Sequence, residues 1–481
     1  MSEHTHPTGI SKKAFSDKGT SPKERDSGGE SFFTKNSTFY KALFSMLIVV
    51  ALQNLVAYSV NMADNIMLGS YSQNALSGAA TVNQIFFMVQ QVALSIGNAL
   101  VVLASQYWGE GRVEPIRTLT GIALKLGLAF GIVIIGLCSL MPTSILHIFT
   151  DAPEIVAEGL PYLAVVQWTF ALYILTNVLM SALRSVKTVN ISFYISIVSL
   201  LVNVGINYIL IFGKFGFPEM GIVGAAVGTF VARILELAIV VIYIWKVDKK
   251  LHLFSKDLFI RDASLRKDYI KVALPIILSQ VIWGISVPMQ TAILGHLSSD
   301  AIAANSVATT FYQYMKVIVI AMSSTSAVMI GNAIGQGNMR RIKSDARTLS
   351  VIDIGIGIVL GGILLLLREP LLSMYRLSDT ATTMASNLIL IMSVVMVGMS
   401  YQMPVSSGII QGGGDAKFTM TMTMISTWCI VMPLSFLAAF ILKWPVEAVV
   451  IVIQSDQIFK CLPTFIHFRK YRWIKKLTKD V

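Results

Sequence analysis

The chain has 481 residues, 54% of them hydrophobic and only 13% charged, with a mean hydropathy of +0.69; a soluble domain carries about twice that charge fraction. A helix needs ~20 apolar residues to cross a bilayer, so the composition supplies roughly a dozen crossings. It excludes an ordinary cytosolic enzyme, a nucleic-acid-binding module and any large domain outside the membrane. The net charge of +12 becomes a question of position, because polytopic membrane proteins gather Lys and Arg in cytoplasmic loops.

Residues 1–37 are polar and lack the apolar core and small-residue cleavage site of a signal peptide, so they read as a disordered cytoplasmic tail. The first apolar segment is then retained and acts as the insertion signal. Twelve spans are expected, near 39–66, 76–107, 119–140, 156–182, 189–212, 222–245, 272–294, 302–333, 348–367, 382–410, 418–441 and 445–468. With the N-terminus inside, thirty Lys and Arg residues fall on the side of the termini, against Lys214, Arg368, Arg376 and Lys443 on the other. That asymmetry predicts a multi-pass protein of the plasma (inner) membrane with both termini cytoplasmic. The expected organisation is a six-helix lobe at 38–247, a cytoplasmic linker at 248–266, a second six-helix lobe at 267–470 and a basic tail at 471–481. In the linker, Leu251, Leu253, Phe254, Leu258 and Phe259 are candidates for the membrane interface. Cys138, Cys429 and Cys461 lie in apolar stretches and read as packing residues, not a disulfide framework.

The halves repeat. ADNIMLGSYSQNAL from Ala63 aligns with MQTAILGHLSSDAI from Met289, so that Gly69 meets Gly295. The loop from Trp108 to Ile116 aligns with Ile334 to Ile342 at the same offset of 226, bringing Gly111 onto Gly337. Pro142 with Pro370, and Arg184 with Gln411, follow within two residues of that offset. An even number of spans separates equivalent positions, so the two lobes are parallel repeats related by an axis along the membrane normal.

No enzyme motif is present. There is no P-loop, HExxH or GxSxG, and Gly412-Gly-Gly-Asp415 lacks the Lys and Ser/Thr that hold phosphate and Mg²⁺. The chemistry therefore rests on polar side chains at bilayer depth, which are costly and normally face a cavity or a partner. Asn61, Asp64 and Asn65 share one side of the first span with Asn54. Asp64 has no partner in sequence: it is placed to take and release a proton, or else caps the helix end before Gly69. On the second span Gln84, Gln91 and Asn98 recur at heptad spacing beside Asn83 and Gln90, as interhelical glue or the wall of a water-filled cavity. Asn203 and Asn207 form an i, i+4 pair on the fifth span, and Gln167 and Asn177 a weaker patch on the fourth. Arg233 with Glu236, and Asp456 with Lys460, are spaced to pair locally as structural elements. Lys125 and Lys316 either snorkel or face the cavity. The candidate substrate-binding amides are Gln84, Gln91, Gln167, Asn177, Gln290 and Gln313.

Duplicated halves, a buried acid and no ATP motif describe a secondary transporter. NMADNIMLG, the segment from Leu201 to Thr229, LMSALRSVKT and SSGIIQGGGDAKF resemble the multidrug and toxic compound extrusion (MATE) family over nearly the whole chain after residue 38. The resemblance implies an all-α, V-shaped pair of six-helix lobes in which H⁺ or Na⁺ entering from outside drives export of organic, often cationic compounds, without a further cofactor. It assigns cation coupling to Asp64, with Gly69 completing the family's D-x-x-x-x-G, and to Asn61, Asn203 and Asn207. Asn207 is similar to the NorM-like branch. The acids that branch carries on the seventh and tenth spans are replaced by Ile282 (or Trp283) and Ser400, so a second-lobe cation site is expected to be absent. Val49 stands where a first-span proline is common.

The scarcity of cavity acids implies monocationic lipophilic or neutral substrates, and a monomer is expected. The alternatives are a lipid-linked oligosaccharide flippase of the same superfamily, which would line its cavity with Arg or Lys, and, in a different class, a channel or non-transporting receptor.

Overall fold

The computed structural model describes residues 32–479 except 296, 298 and 374–377. Residues 1–31 of the tail assigned to 1–37, and the loop charge of Arg376, lie outside the described residues. Among the described residues all regular structure is helical, and twelve helices are long and apolar enough to cross a membrane. They are α1 (Ser37–Tyr71), α2 (Gln73–Gly109), α3 (Glu114–Leu140), α4 (Pro153–Ser185), α5 (Asn190–Ile211), α6 (Gly221–Lys246), α7 (Ala263–Gly295), α8 (Ser299–Gly335), α9 (Met339–Leu372), α10 (Asp379–Ile410), α11 (Ala416–Ile441) and α12 (Val446–Arg469).

The helix ends follow from local chemistry. Asn36 Oδ1 accepts from the Thr38 amide at 2.9 Å to start α1, and Ser72 Oγ accepts from the Ala75 amide at 3.4 Å at the sharp reversal into α2. These side chains satisfy amides that have no partner in the first helical turn. Between α3 and α4 a short helix, Pro142–His147, adds an element with no counterpart among the expected spans. Pro275 and Pro288 lie inside α7. α10 passes into a π-helical segment at Pro404–Ile410, and α11 contains two more at Met424–Val431 and Leu437–Ile441. A proline cannot donate to the preceding turn, which accounts for the change of winding at Pro404.

The duplication is visible in the backbone. α2 and α8 begin and end 226 residues apart, and each is followed by a turn glycine, Gly111 or Gly337, with φ of +76° in both. Only glycine enters that left-handed region without steric cost.

The lobes meet where α1 and α2 pack on α7 and α8. Their closest approach is at the end of the bundle where α1 begins and α12 ends, the terminal face. A Cβ on Gly335 would overlap the Gln106 carbonyl oxygen, one on Gly331 the Ser105 hydroxyl and one on Gly109 the Asn332 carbonyl oxygen. Arg184 Nη1 donates to Ser324 Oγ at 3.0 Å and Asn332 Nδ2 to the Ser185 carbonyl at 3.4 Å across the same seam.

Three connecting segments are docked on this face. Thr34 Oγ1 donates to Asp345 Oδ1 at 2.5 Å, tying the approach to α1 onto α9 of the other lobe. In the linker, Leu251, Leu253 and Leu258 join the core of the N-terminal lobe while Phe254 and Phe259 stay exposed. The expectation that all five sit at the membrane interface is thus corrected for three. They are buried because Arg117 holds the linker down, bonding Asp257 Oδ2 at 2.7 Å and the Leu251 carbonyl at 2.6 Å. The basic segment after α12 forms the third. Trp473 is fully buried, and the Lys475 amide donates to the Gly413 carbonyl at 2.9 Å. Beyond it, Gln106 of α2 bonds the Lys475 carbonyl and the Leu477 amide, at 3.2 and 2.8 Å. The segment therefore bridges the two lobes.

Candidate functional site

α1 packs lengthwise on α5, which brings the polar side of the first helix against the asparagine pair. Asn207 Nδ2 donates to Asp64 Oδ1 at 2.6 Å and lies 3.4 Å from Asn203 Oδ1; Asn203 Nδ2 in turn donates to Thr229 Oγ1 of α6 at 3.3 Å. Both asparagines are buried. The i, i+4 spacing puts both amides on one face of α5, and the amide chain fixes which oxygen of Asp64 is engaged. Asn207 Oδ1 is buried without a donor, and it fills the space that a Cβ on Gly228 would occupy. One oxygen of Asp64 is held by Asn207, and among the described residues the other receives no hydrogen bond.

Asp64 faces a cavity lined also by Asn61, Asn83, Tyr162, Thr169, Thr229 and Arg233. Asn61, though largely exposed, shares this lining. Arg233 keeps the local partner expected from spacing, Glu236, at 2.7 Å. Its guanidinium also stands over the rings of Tyr173 and Phe86, 5.1 and 5.9 Å from their centroids. The Arg233–Glu236 pair is thus both a local structural pair and part of the wall of the Asp64 cavity. Spacing along α6 carries no signal for that second role, which arises only when α6 packs on α4 and α2. Asp64, Arg233 and Glu236 together leave one net negative charge. Such a charge, with the unbonded oxygen of Asp64 facing the cavity, is chemically suited to a proton or a small hard cation. Among the described residues no group of three His, Cys, Asp or Glu is placed to hold a metal ion.

A family model described as MatE matches residues 50–209 and 275–437, one stretch in each lobe. The chain belongs to the MatE family. It is similar to a probable multidrug resistance protein NorM of Xylella fastidiosa, 27% identical over 79% of this chain and 81% of that protein. The probable multidrug resistance protein NorM of Thermotoga maritima is 25% identical over 92% of this chain and 95% of its own length. Among solved structures, the Vibrio cholerae MATE transporter VcmN in its bent form shares the fold, with a TM-score of 0.81 at 18% identity over 90% of this chain and 97% of that one. The family assignment agrees with the resemblance read from the sequence. It makes this chain a membrane transporter and not an enzyme.

The amides named for substrate contact are dispersed across the MatE fold. Gln91 is buried at the junction of the lobes, where its Cγ lies 3.4 Å from the position of a Cβ on Gly284 of α7. Asn177 packs beside Gly97 and Ser181, on the α2 side of α4. Gln84 and Gln313 are exposed and Gln290 is half-buried. Gln167 is differently placed: its Oε1 accepts from Ser139 Oγ at 3.1 Å and its Nε2 donates to the Ala164 carbonyl at 3.2 Å. It fastens α4 to α3. In the second lobe Lys316 stands over Trp283, 4.9 Å from the ring centroid, and Trp283 faces Phe87 of the first lobe at 6.3 Å. Asp456 and Lys460 pair at 2.6 Å. The exposed Lys125 lies on α3.

Proposed function

We propose that this chain is a secondary antiporter that exports small organic compounds in exchange for H⁺ or Na⁺. The observation that carries the reading is Asp64: a carboxylate at bilayer depth, facing a cavity, with one oxygen held by Asn207 and the other without a donor among the described residues. Its relatives bear the name multidrug resistance protein, which supports organic substrates. The few acids lining the cavity favour lipophilic monocations or neutral compounds over dications.

The closed terminal face is cytoplasmic in this reading, in accord with its basic residues, and the lobes stand in the outward-facing arrangement. A cation from outside neutralises Asp64, and the site's affinity for substrate falls. Substrate leaves, the lobes rock, and the cation departs inward before the next substrate binds. Exchange requires that cation and substrate compete or discriminate between the two states.

The test uses proteoliposomes loaded with ethidium under an imposed pH or Na⁺ gradient. Asp64→Asn is expected to abolish gradient-driven efflux while the protein remains folded and inserted. Efflux near the wild-type rate from well-folded Asp64→Asn would refute the mechanism. Comparing the two gradients identifies the coupling ion.

A further inference from the structure

A second carboxylate sits at bilayer depth, in the other lobe. Asp353, on α9, is 1% exposed, and among the described residues neither of its oxygens receives a hydrogen bond. It shares a helix face with Gly357, one turn on. That face is pressed against α10, since a Cβ on Gly357 would lie 2.8 Å from the Ser400 Cβ and 3.0 Å from the Val397 Cα. The Ser400 hydroxyl and the Tyr401 hydroxyl on α10 are likewise buried without partners, and Tyr401 lies within electrostatic reach of Asp353.

The other titratable groups around Tyr401 are Cys461 on α12 and Arg469 at its end. Among the described residues Asp353 makes no hydrogen bond. An ionised carboxylate without a donor or counter-charge in this environment carries a large desolvation penalty. A neutral acid does not. Neither hydroxyl hydrogen-bonds Asp353, and a proton on the carboxylate restores neutrality.

We infer that Asp353 is a second proton-binding site, loaded in the conformation seen here, and that it releases its proton when repacking of α9 against α10 admits water or a donor. The site is separate from the Asp64 cavity: it is in the opposite lobe, and none of its residues lines that cavity. Its role in coupling rests on the proposed antiport, whereas its protonation does not.

The experiment therefore has two arms. Infrared difference spectra of the purified full-length protein in lipid, recorded on a step from alkaline to mildly acidic buffer, are compared for Asp64→Asn and for Asp64→Asn with Asp353→Asn. A buried-carboxyl band is expected in the single variant and lost in the double one; identical spectra would overturn the inference. The second arm follows ethidium efflux from proteoliposomes as a function of pH. Asp353→Asn, the near-isostere of the neutral acid, is expected to fold and to flatten the pH dependence, lowering the slope of log rate against pH by about one. A wild-type profile would show that Asp353 takes no part in coupling. Failure of the antiport reading leaves the infrared arm intact, so the two outcomes are separable.

Discussion

Gly228 has a hydrogen where any other residue would drive a methyl group into Asn207 Oδ1. The amide that donates to Asp64 is therefore held from behind by the absence of a side chain on α6. Gly228→Ala forces Asn207 off its present rotamer or separates α5 from α6, an overpacking cost of about 1–3 kcal/mol. Because Asn207 also sets the Asp64 hydrogen bond, stability and coupling are expected to fall together. Gly205, on the same helix as Asn207, has nothing within 4 Å of the point where a Cβ would stand. Gly205→Ala is expected to be neutral or to gain up to ~1 kcal/mol of helix propensity. Thermal unfolding in detergent together with ethidium efflux checks both, and equal behaviour of the two variants would dissociate Gly228 from the site.

At the scale of elements, sequence pattern located the twelve spans, their duplication and the polar faces of α1 and α5, because hydropathy and helical spacing are local properties. What depended on packing was not legible. Arg233 satisfied its local partner in the sequence, so nothing there marked its second position in the cavity wall. Asp353, an acid inside the ninth expected span without a basic residue at i±3 or i±4, was legible by the same rule as Asp64, while its orphaned oxygens emerge only from packing against α10. Gln167 bonds Ser139 of α3, a partner that spacing along its own helix does not reveal. The apolar residues of the linker suggested the membrane interface, yet Arg117 converts it into a docked strap. The hydrogen bond from Arg117 holds the Asp257 carboxyl below the usual carboxylate range. A carboxylate whose pKa is lowered by folding contributes its stabilisation above the unfolded value, near pH ~4, and loses it as pH falls through the lower folded value. Hydrogen exchange in residues 251–259 is thus expected to stay slow at neutral pH after allowance for the intrinsic rate, and to lose protection in stronger acid. Asp257→Asn should show faster exchange already at neutral pH; protection unchanged from wild type would mean that the apolar contacts alone dock the linker.

For the whole molecule, alternating access requires that the contacts closing one face be strong enough to define a state and weak enough to break. The seam between α2 and α8 is built from glycine-mediated backbone approaches, and the segment after α12 adds a polar bridge over it. Arg112 Nη1 donates to the Lys479 carbonyl at 2.7 Å, Thr478 bonds Glu110, and Lys479 reaches Asp268 at 2.5 Å. Most of these contacts are exposed ion pairs or single hydrogen bonds, each of modest value. Trp473 is the anchor: it is fully buried, stacked on Phe468 at 6.0 Å, and its indole donates to the Phe468 carbonyl at 3.0 Å. Trp473→Ala removes about 3–5 kcal/mol of packing from a site that exists only while the segment is docked. Since the docked segment touches both lobes, its release favours whichever state separates them at this face. The expected result is greater labelling by a membrane-impermeant maleimide of a cysteine placed at Ser324, beside the Arg184 contact, in a background with Cys138, Cys429 and Cys461 replaced. Removing residues 473–481 should act in the same direction as Trp473→Ala. Labelling that stays at the level of the intact chain in both variants would mean that the glycine seam alone holds this face closed.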